Sequence, residues 1–120
     1  MTVRRIVPDI RVEHEERLHT SRDFYGLLGF EEVMNAGWMT TLASPSNPTA
    51  QISFFTEERT APVVPDLSVE VEDVDAVYAQ VAASGAEIVR ELRDEEWGVR
   101  RFFVRDPNGR VVNVLTHLAR

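Results

Sequence analysis

Hydrophobic and polar positions along this chain fall into short strand-like runs, interrupted twice by stretches with helical spacing. The segment from Val3 to Glu13 is apolar and broken by Pro8, which predicts an edge-like strand. Leu18, Ser21, Phe24, Tyr25 and Leu28 then recur at three- and four-residue spacing, which predicts one face of a helix from Glu15 to Leu28. Gly29 sits where such a helix would stop in the left-handed conformation. Strands are expected from Phe30 to Asn35, Met39 to Ala43 and Gln51 to Phe55, with a turn at Gly37 and a Ser/Pro/Asn-rich loop over residues 44–49. Residues 56–65 hold two prolines and no periodicity, as a connector would.

The same order then returns. A strand from Asp66 to Val71 leads to Asp73, whose carboxylate can cap a helix starting near Val74. Val74, Val77, Tyr78 and Val81 line that helix, and Gly85 ends it. Strands follow from Glu87 to Leu92, Val99 to Arg105 and Val111 to Leu115. The last two are separated by Asp106-Pro107-Asn108-Gly109, a turn in which Asn-Gly is expected to supply the positive backbone angles. Ile10-Arg11-Val12-Glu13 resembles Val69-Glu70-Val71-Glu72, and Gly29 matches Gly85. The chain therefore reads as an α+β domain of two βαβββ modules, residues 1–56 and 66–120, joined by a connector over 57–65.

Composition narrows the chemistry. The 120 residues fit one domain, able to bury roughly two-thirds of its unfolded surface. There is no cysteine, so no disulfide framework, thiolate nucleophile or Cys-based metal site. All 13 basic residues are arginine, which removes Schiff-base lysines and the P-loop. A formal net charge of −7 argues against a nucleic-acid partner. No apolar run approaches a membrane span and the N-terminus lacks a signal-peptide core, so a cytoplasmic protein is expected.

Arg22-Asp23-Phe24-Tyr25-Gly26-Leu27-Leu28-Gly29-Phe30, Asp106-Pro107-Asn108-Gly109 and the tandem modules together resemble the vicinal-oxygen-chelate superfamily. That superfamily includes glyoxalase I, extradiol dioxygenases, and fosfomycin- and bleomycin-resistance proteins. The resemblance covers nearly the whole chain. It implies a mixed sheet curled around an open cleft, usually within a homodimer that takes a small-molecule ligand. The superfamily's metal enzymes place ligands at four strand positions, which in this chain look like Val7, Ser53, Asp66 and Asn113. A divalent ion needs several converging oxygen or imidazole donors. Val7 offers none, Ser53 and Asn113 are weak neutral donors, and only Asp66 is strong. No metal cofactor is therefore expected, and the departure points toward the metal-free binding proteins of the bleomycin-resistance type.

Strand side chains alternate faces. If those four positions face the cleft, so do Asp9 and Arg11, Gln51 and Phe55, Ser68 and Glu70, and Val111 and Leu115. The opposite face is then wholly apolar, as a sheet with one packed and one wet face requires. Trp38 and Trp97 lie beside glycines in turn-like sequence, where an indole can offer a flat stacking surface. The candidate ligand cleft is thus Asp9, Arg11, Trp38, Gln51, Ser53, Phe55, Asp66, Glu70, Trp97, Asn113 and Leu115. Its carboxylates favour a cationic ligand and its tryptophans a planar or cationic one, held by affinity alone. The alternative is a lyase, isomerase or dioxygenase of the same superfamily, with a metal or with Asp66 or Glu70 as general base. His14 and His19 are spaced one residue too far apart for a zincin helix. His117 is expected to be exposed, and Arg11 is expected to be the cleft's fixed cation, facing the ligand or paired with Glu70 or Asp9.

Overall fold

A computed structural model describes residues 2–118. Strands and helices follow in the expected order: β1 Val3–Arg11, α1 Glu15–Gly26, β2 Glu31–Asn35, β3 Met39–Ala43, β4 Gln51–Phe55, β5 Leu67–Val71, α2 Val74–Ala83, β6 Ile88–Glu95, β7 Val99–Arg105 and β8 Val111–His117. The fold is α+β. The chain divides into two compact units, one of Val7–Val64 and one of Met1–Ile6 with Pro65–Arg120, so the division falls inside β1.

In the unit of Val7–Val64 the strand order is β2-β3-β4-β1. β1 runs parallel to β4 with Asp9 opposite Ser53, and β3 is antiparallel to both of its neighbours. Leu18, Leu42 and Phe54 form the core, joined by Val12, Tyr25, Phe30 and Ile52. Tyr25 meets Phe54 and Phe30 at ring-centroid separations of 5.3 and 6.0 Å. The expected helical face is narrower than its spacing implied. Leu18 and Tyr25 are packed, whereas Phe24 is 57% and Leu28 64% exposed. Tyr25 follows Leu18 by about two helical turns and returns to the same side, while Phe24 points about 100° away from Tyr25. α1 stops at Gly26, so Leu28 falls in the turn, outside any helical periodicity. Ile10 shares the α1 face in register with Phe54 but is exposed.

In the other unit the order is β5-β8-β7-β6, with β5 parallel to β8 and the remaining pairs antiparallel. Val71, Val74, Phe102, Val104 and Val114 form its core, and Val69, Val77, Tyr78, Val81, Ile88, Leu92 and Val112 pack against it. Among these are the expected residues of α2 (Val74, Val77, Tyr78, Val81) and of the apolar faces of β5 (Val69, Val71) and β8 (Val112, Val114); Phe102, Val104, Ile88 and Leu92 of β7 and β6 join them. Asp73 caps α2 by accepting from Ala76 N–H at 3.1 Å. Arg100 ties α2 to the sheet: its guanidinium bonds Asp75 at 2.9 Å and Asp94 at 3.0 Å. The Arg100 bond holds the Asp75 carboxyl below its ordinary value of 3.8, and the two carboxylates, Asp75 foremost, raise Arg100.

Three local expectations need correction. β6 runs three residues past Leu92, because register shifts between Ile88 and Arg90 and between Arg90 and Arg93 break its alternation while keeping Arg93, Asp94 and Glu95 paired with β7. β8 continues to His117, opposite Val99. In the last turn only Gly109 takes a positive φ, since no non-glycine residue among those described does. Asn108 keeps a negative φ because the Asp106 carboxylate closes the turn itself, accepting from Asn108 N–H at 2.8 Å and Arg110 N–H at 2.9 Å. Those bonds, that of Arg110 foremost, lower the Asp106 carboxyl below 3.8.

Candidate functional site

The sheet of the second unit has one face under α2 and one face away from it. Register fixes which residues share the second face. Ser68 lies opposite Asn113 and Glu70 opposite Leu115, while Arg101 lies opposite Leu115, Phe103 opposite Asn113 and Val99 opposite His117. The structure thus brings together Glu70, Asn113 and Leu115 as the alternation predicted. Arg101, Phe103 and His117 join them.

Trp97 stands in the turn between β6 and β7. Gly98 has φ 97° and donates its N–H to the Glu95 carbonyl at 3.1 Å. A side chain at that position would be strained, so glycine is what lets the turn close with Trp97 beside it. The indole is 53% exposed. Its support is Arg101, whose guanidinium lies 5.0 Å from the Trp97 ring and 4.9 Å from the Phe103 ring. Arg101 is only 2% exposed. A cation so deeply buried must be compensated. Glu95 approaches it at 3.6 Å and also pairs with Arg90 at 3.0 Å. The two aromatic contacts add about 0.5–2 kcal/mol each in a desolvated setting. Trp97 is therefore an indole on a rigid stack of guanidinium and phenyl ring.

The carboxylates expected in the cleft have partners. Glu70 pairs with Arg5 at 3.0 Å and with His117 Nδ1 at 2.8 Å, so its arginine is Arg5 and not Arg11. Asp66 lies just before β5 and accepts from Val111 N–H at 2.8 Å, with Arg110 at 3.9 Å. Asn113 is 5% exposed and donates to Ser68 Oγ at 3.0 Å, while its Oδ1 is buried with no hydrogen-bond partner among the described residues.

In the unit of Val7–Val64, Ser53 and Thr41 share a buried hydroxyl bond of 2.7 Å, and Asp9 is buried opposite Ser53. Arg11 is exposed opposite Phe55. Trp38 packs on Phe55 at 6.1 Å, and its carbonyl accepts from Thr56 N–H at 2.9 Å. Trp38 is thus more enclosed than Trp97. Gln51 donates to the Pro48 carbonyl at 2.9 Å and braces the preceding loop.

The four metal-equivalent positions were tested against this chemistry. Val7 is a buried hydrocarbon, Ser53 is spent on Thr41, Asp66 on the Val111 backbone, and the Asn113 amide N–H on Ser68. Among the described residues no group of three or more His, Asp or Glu side chains gathers where it could hold a metal ion. The residues present do not fit the superfamily's metal.

Sequence reasoning passed over Arg5, Arg101 and Phe103; it read His117 only as exposed and Glu95 as an acidic loop residue, whereas Glu95 ends β6. For Arg101 and Phe103 a signal existed: both fall on the same alternate positions of β7, a strand whose cleft face was left unread.

The description "Glyoxalase/Bleomycin resistance protein/Dioxygenase superfamily" matches residues 15–114. No curated protein matches the chain. Solved structures with a similar fold include a hypothetical protein from Bacillus halodurans C-125 (10% identity, TM-score 0.72, covering 100% of this chain and 98% of that one). A glyoxalase/bleomycin resistance protein/dioxygenase superfamily member from Vibrio splendidus 12B01 has 18% identity, a TM-score of 0.67 and coverage of 96% and 99%. Methylmalonyl-CoA epimerase from Mycobacterium tuberculosis has 20% identity, a TM-score of 0.64 and coverage of 98% and 88%. At these identities the likeness is one of fold. With the family description spanning both modules, this chain belongs to the Glyoxalase/Bleomycin resistance protein/Dioxygenase superfamily.

Proposed function

We propose that this protein binds and sequesters a small planar molecule without a metal, with Trp97 as the stacking surface. One observation carries the reading: a half-exposed indole rests on a buried Arg101 that is itself held by Phe103 and Glu95. A rigid aromatic platform loses little entropy when a flat ligand settles on it. The donor set at the metal-equivalent positions supports the metal-free part. The ligand is defined by planarity more than by positive charge, because Glu70 and Asp66 already have partners. Drug sequestration of the bleomycin-resistance kind is one such use.

The test is a fluorescence titration of the wild type and of Trp97→Phe and Trp38→Phe variants with a panel of planar ligands, cationic and neutral. Quenching that is lost in Trp97→Phe and kept in Trp38→Phe is expected. No quenching at millimolar ligand anywhere in the panel would overturn the reading. The competing reading, a metal-dependent or atypical lyase, isomerase or dioxygenase, predicts a stoichiometric divalent ion that survives dialysis. We also infer a homodimer. Exposed Phe24, Leu27, Leu28, Val33 and Met34 in the unit of Val7–Val64 support it, and sedimentation equilibrium tests it.

A further inference from the structure

His117 closes β8 on the same sheet face as Arg101, Leu115 and Glu70. Its Nδ1 meets Glu70 Oε2 at 2.8 Å. An ionised carboxylate only accepts, so Nδ1 carries the hydrogen and the neutral ring presents a bare Nε2. Glu70 is held from its other side by Arg5 at 3.0 Å, which fixes the carboxylate and with it the imidazole. The ring itself is 55% exposed on its side chain. The turn bearing Trp97 is tied to this strand end, because Leu118 N–H donates to the Gly98 carbonyl at 3.0 Å and Val99 lies opposite His117. The charged group bonded to the imidazole is Glu70 from β5, itself paired with Arg5 from β1; Arg101 of β7 lies opposite Leu115, two residues along β8. An oriented histidine with an open nitrogen therefore stands at the same sheet end as the indole platform.

We propose that the Glu70–His117 pair accepts a proton from the ligand on the Trp97 platform, which makes that ligand a planar molecule with an acidic O–H or N–H on its ring. The ligand's O–H bond breaks and leaves its electron pair on oxygen, and an N–H bond forms at Nε2. The resulting imidazolium is flanked by the Glu70 carboxylate, and the ligand anion stays beside the imidazolium. His117 is the proton acceptor and Glu70 its positioning residue. The proposal rests on the Trp97 reading and adds the ligand's acidity to it.

Para-nitrophenol is a suitable probe, because only its ionised form absorbs in the visible. Calorimetry reports binding and the visible band reports the proton, so the two readings fail separately. In wild type the bound probe should show a phenolate-to-phenol ratio raised about tenfold over the free probe at the same pH. His117→Gln should keep the binding heat and lose the raised ratio. Glu70→Gln should lose most of it, and Glu70→Asp should restore part. Binding with an unshifted band in wild type, or an undiminished band in His117→Gln, overturns the proton-accepting pair and leaves the platform standing. Absence of both heat and band change overturns both.

Discussion

At the scale of single residues, Arg101 is the side chain on which the site depends. It is a buried cation whose partners include one carboxylate and two aromatic faces, so removing it leaves Glu95 short of a partner and empties the stack. Arg101→Ala is expected to lower unfolding free energy by about 3 kcal/mol, the cost of breaking a buried pair, measured by chemical denaturation. Trp97 emission should shift to the red in the same variant, because its indole loses its backing. Arg101→Lys should recover only part, since an ammonium cannot fill the plane between two rings. None of this was legible from composition. An arginine inside Val99-Arg100-Arg101-Phe102-Phe103 reads as a wet-face residue, and only the register with Leu115 and the turn at Gly98 show it to be buried. Glu70 and Asn113 were legible, because simple alternation places them on one face. The partners of Glu70 were not: Arg5 and His117 lie 65 and 47 residues away in sequence, and no local pattern reports such a pairing.

At the scale of elements, α2 is the clearer test of how local sequence builds the frame. Asp73 caps its first turn and Arg100 clamps it through Asp75. Asp73→Ala should cost about 1 kcal/mol of stability by denaturant titration, the usual worth of such a cap. The pH dependence has a definite sign. Asp75 and Asp106 titrate below 3.8 in the folded chain, Asp75 because of Arg100 and Asp106 because of the turn amides. Near that pH the unfolded chain binds more protons, so stability rises with pH through this window and is lost as pH falls through the folded values. A thermal melting series across acid pH should show that fall, and Asp75→Asn together with Asp106→Asn should flatten it. The helices and most strand limits were legible because hydrophobic period and turn residues report them directly. The end of β6 was not, because its bulges turn a paired strand into a charged, aperiodic run that resembles a loop. Phe24 and Leu28 misled for different reasons: Phe24 lies about 100° around the helix from the packed Tyr25, and Leu28 falls after α1 has stopped at Gly26.

At the scale of the whole molecule, the tandem βαβββ order and the α+β class followed from the half-chain repeat, and the superfamily match across residues 15–114 agrees with them. The chemistry was less legible, because a fold of this kind hosts many activities and the deciding residues are few. The preference for positive ligands, read from net charge and three cleft carboxylates, weakens once Glu70 and Asp66 are seen to be engaged. What remains is the aromatic platform of Trp97 on Arg101 and Phe103, beside four metal-equivalent positions of which only Asp66 is a strong donor. The central claim is best tested by calorimetric titration of chelator-dialysed protein with a planar ligand panel, wild type beside Trp97→Ala. Saturable binding in the metal-free wild type, weakened at least about tenfold in Trp97→Ala, is the predicted result, as expected for losing one stacking face worth about 1.4 kcal/mol. Binding that returns only when a divalent ion is added, or that is unchanged in Trp97→Ala, would contradict it.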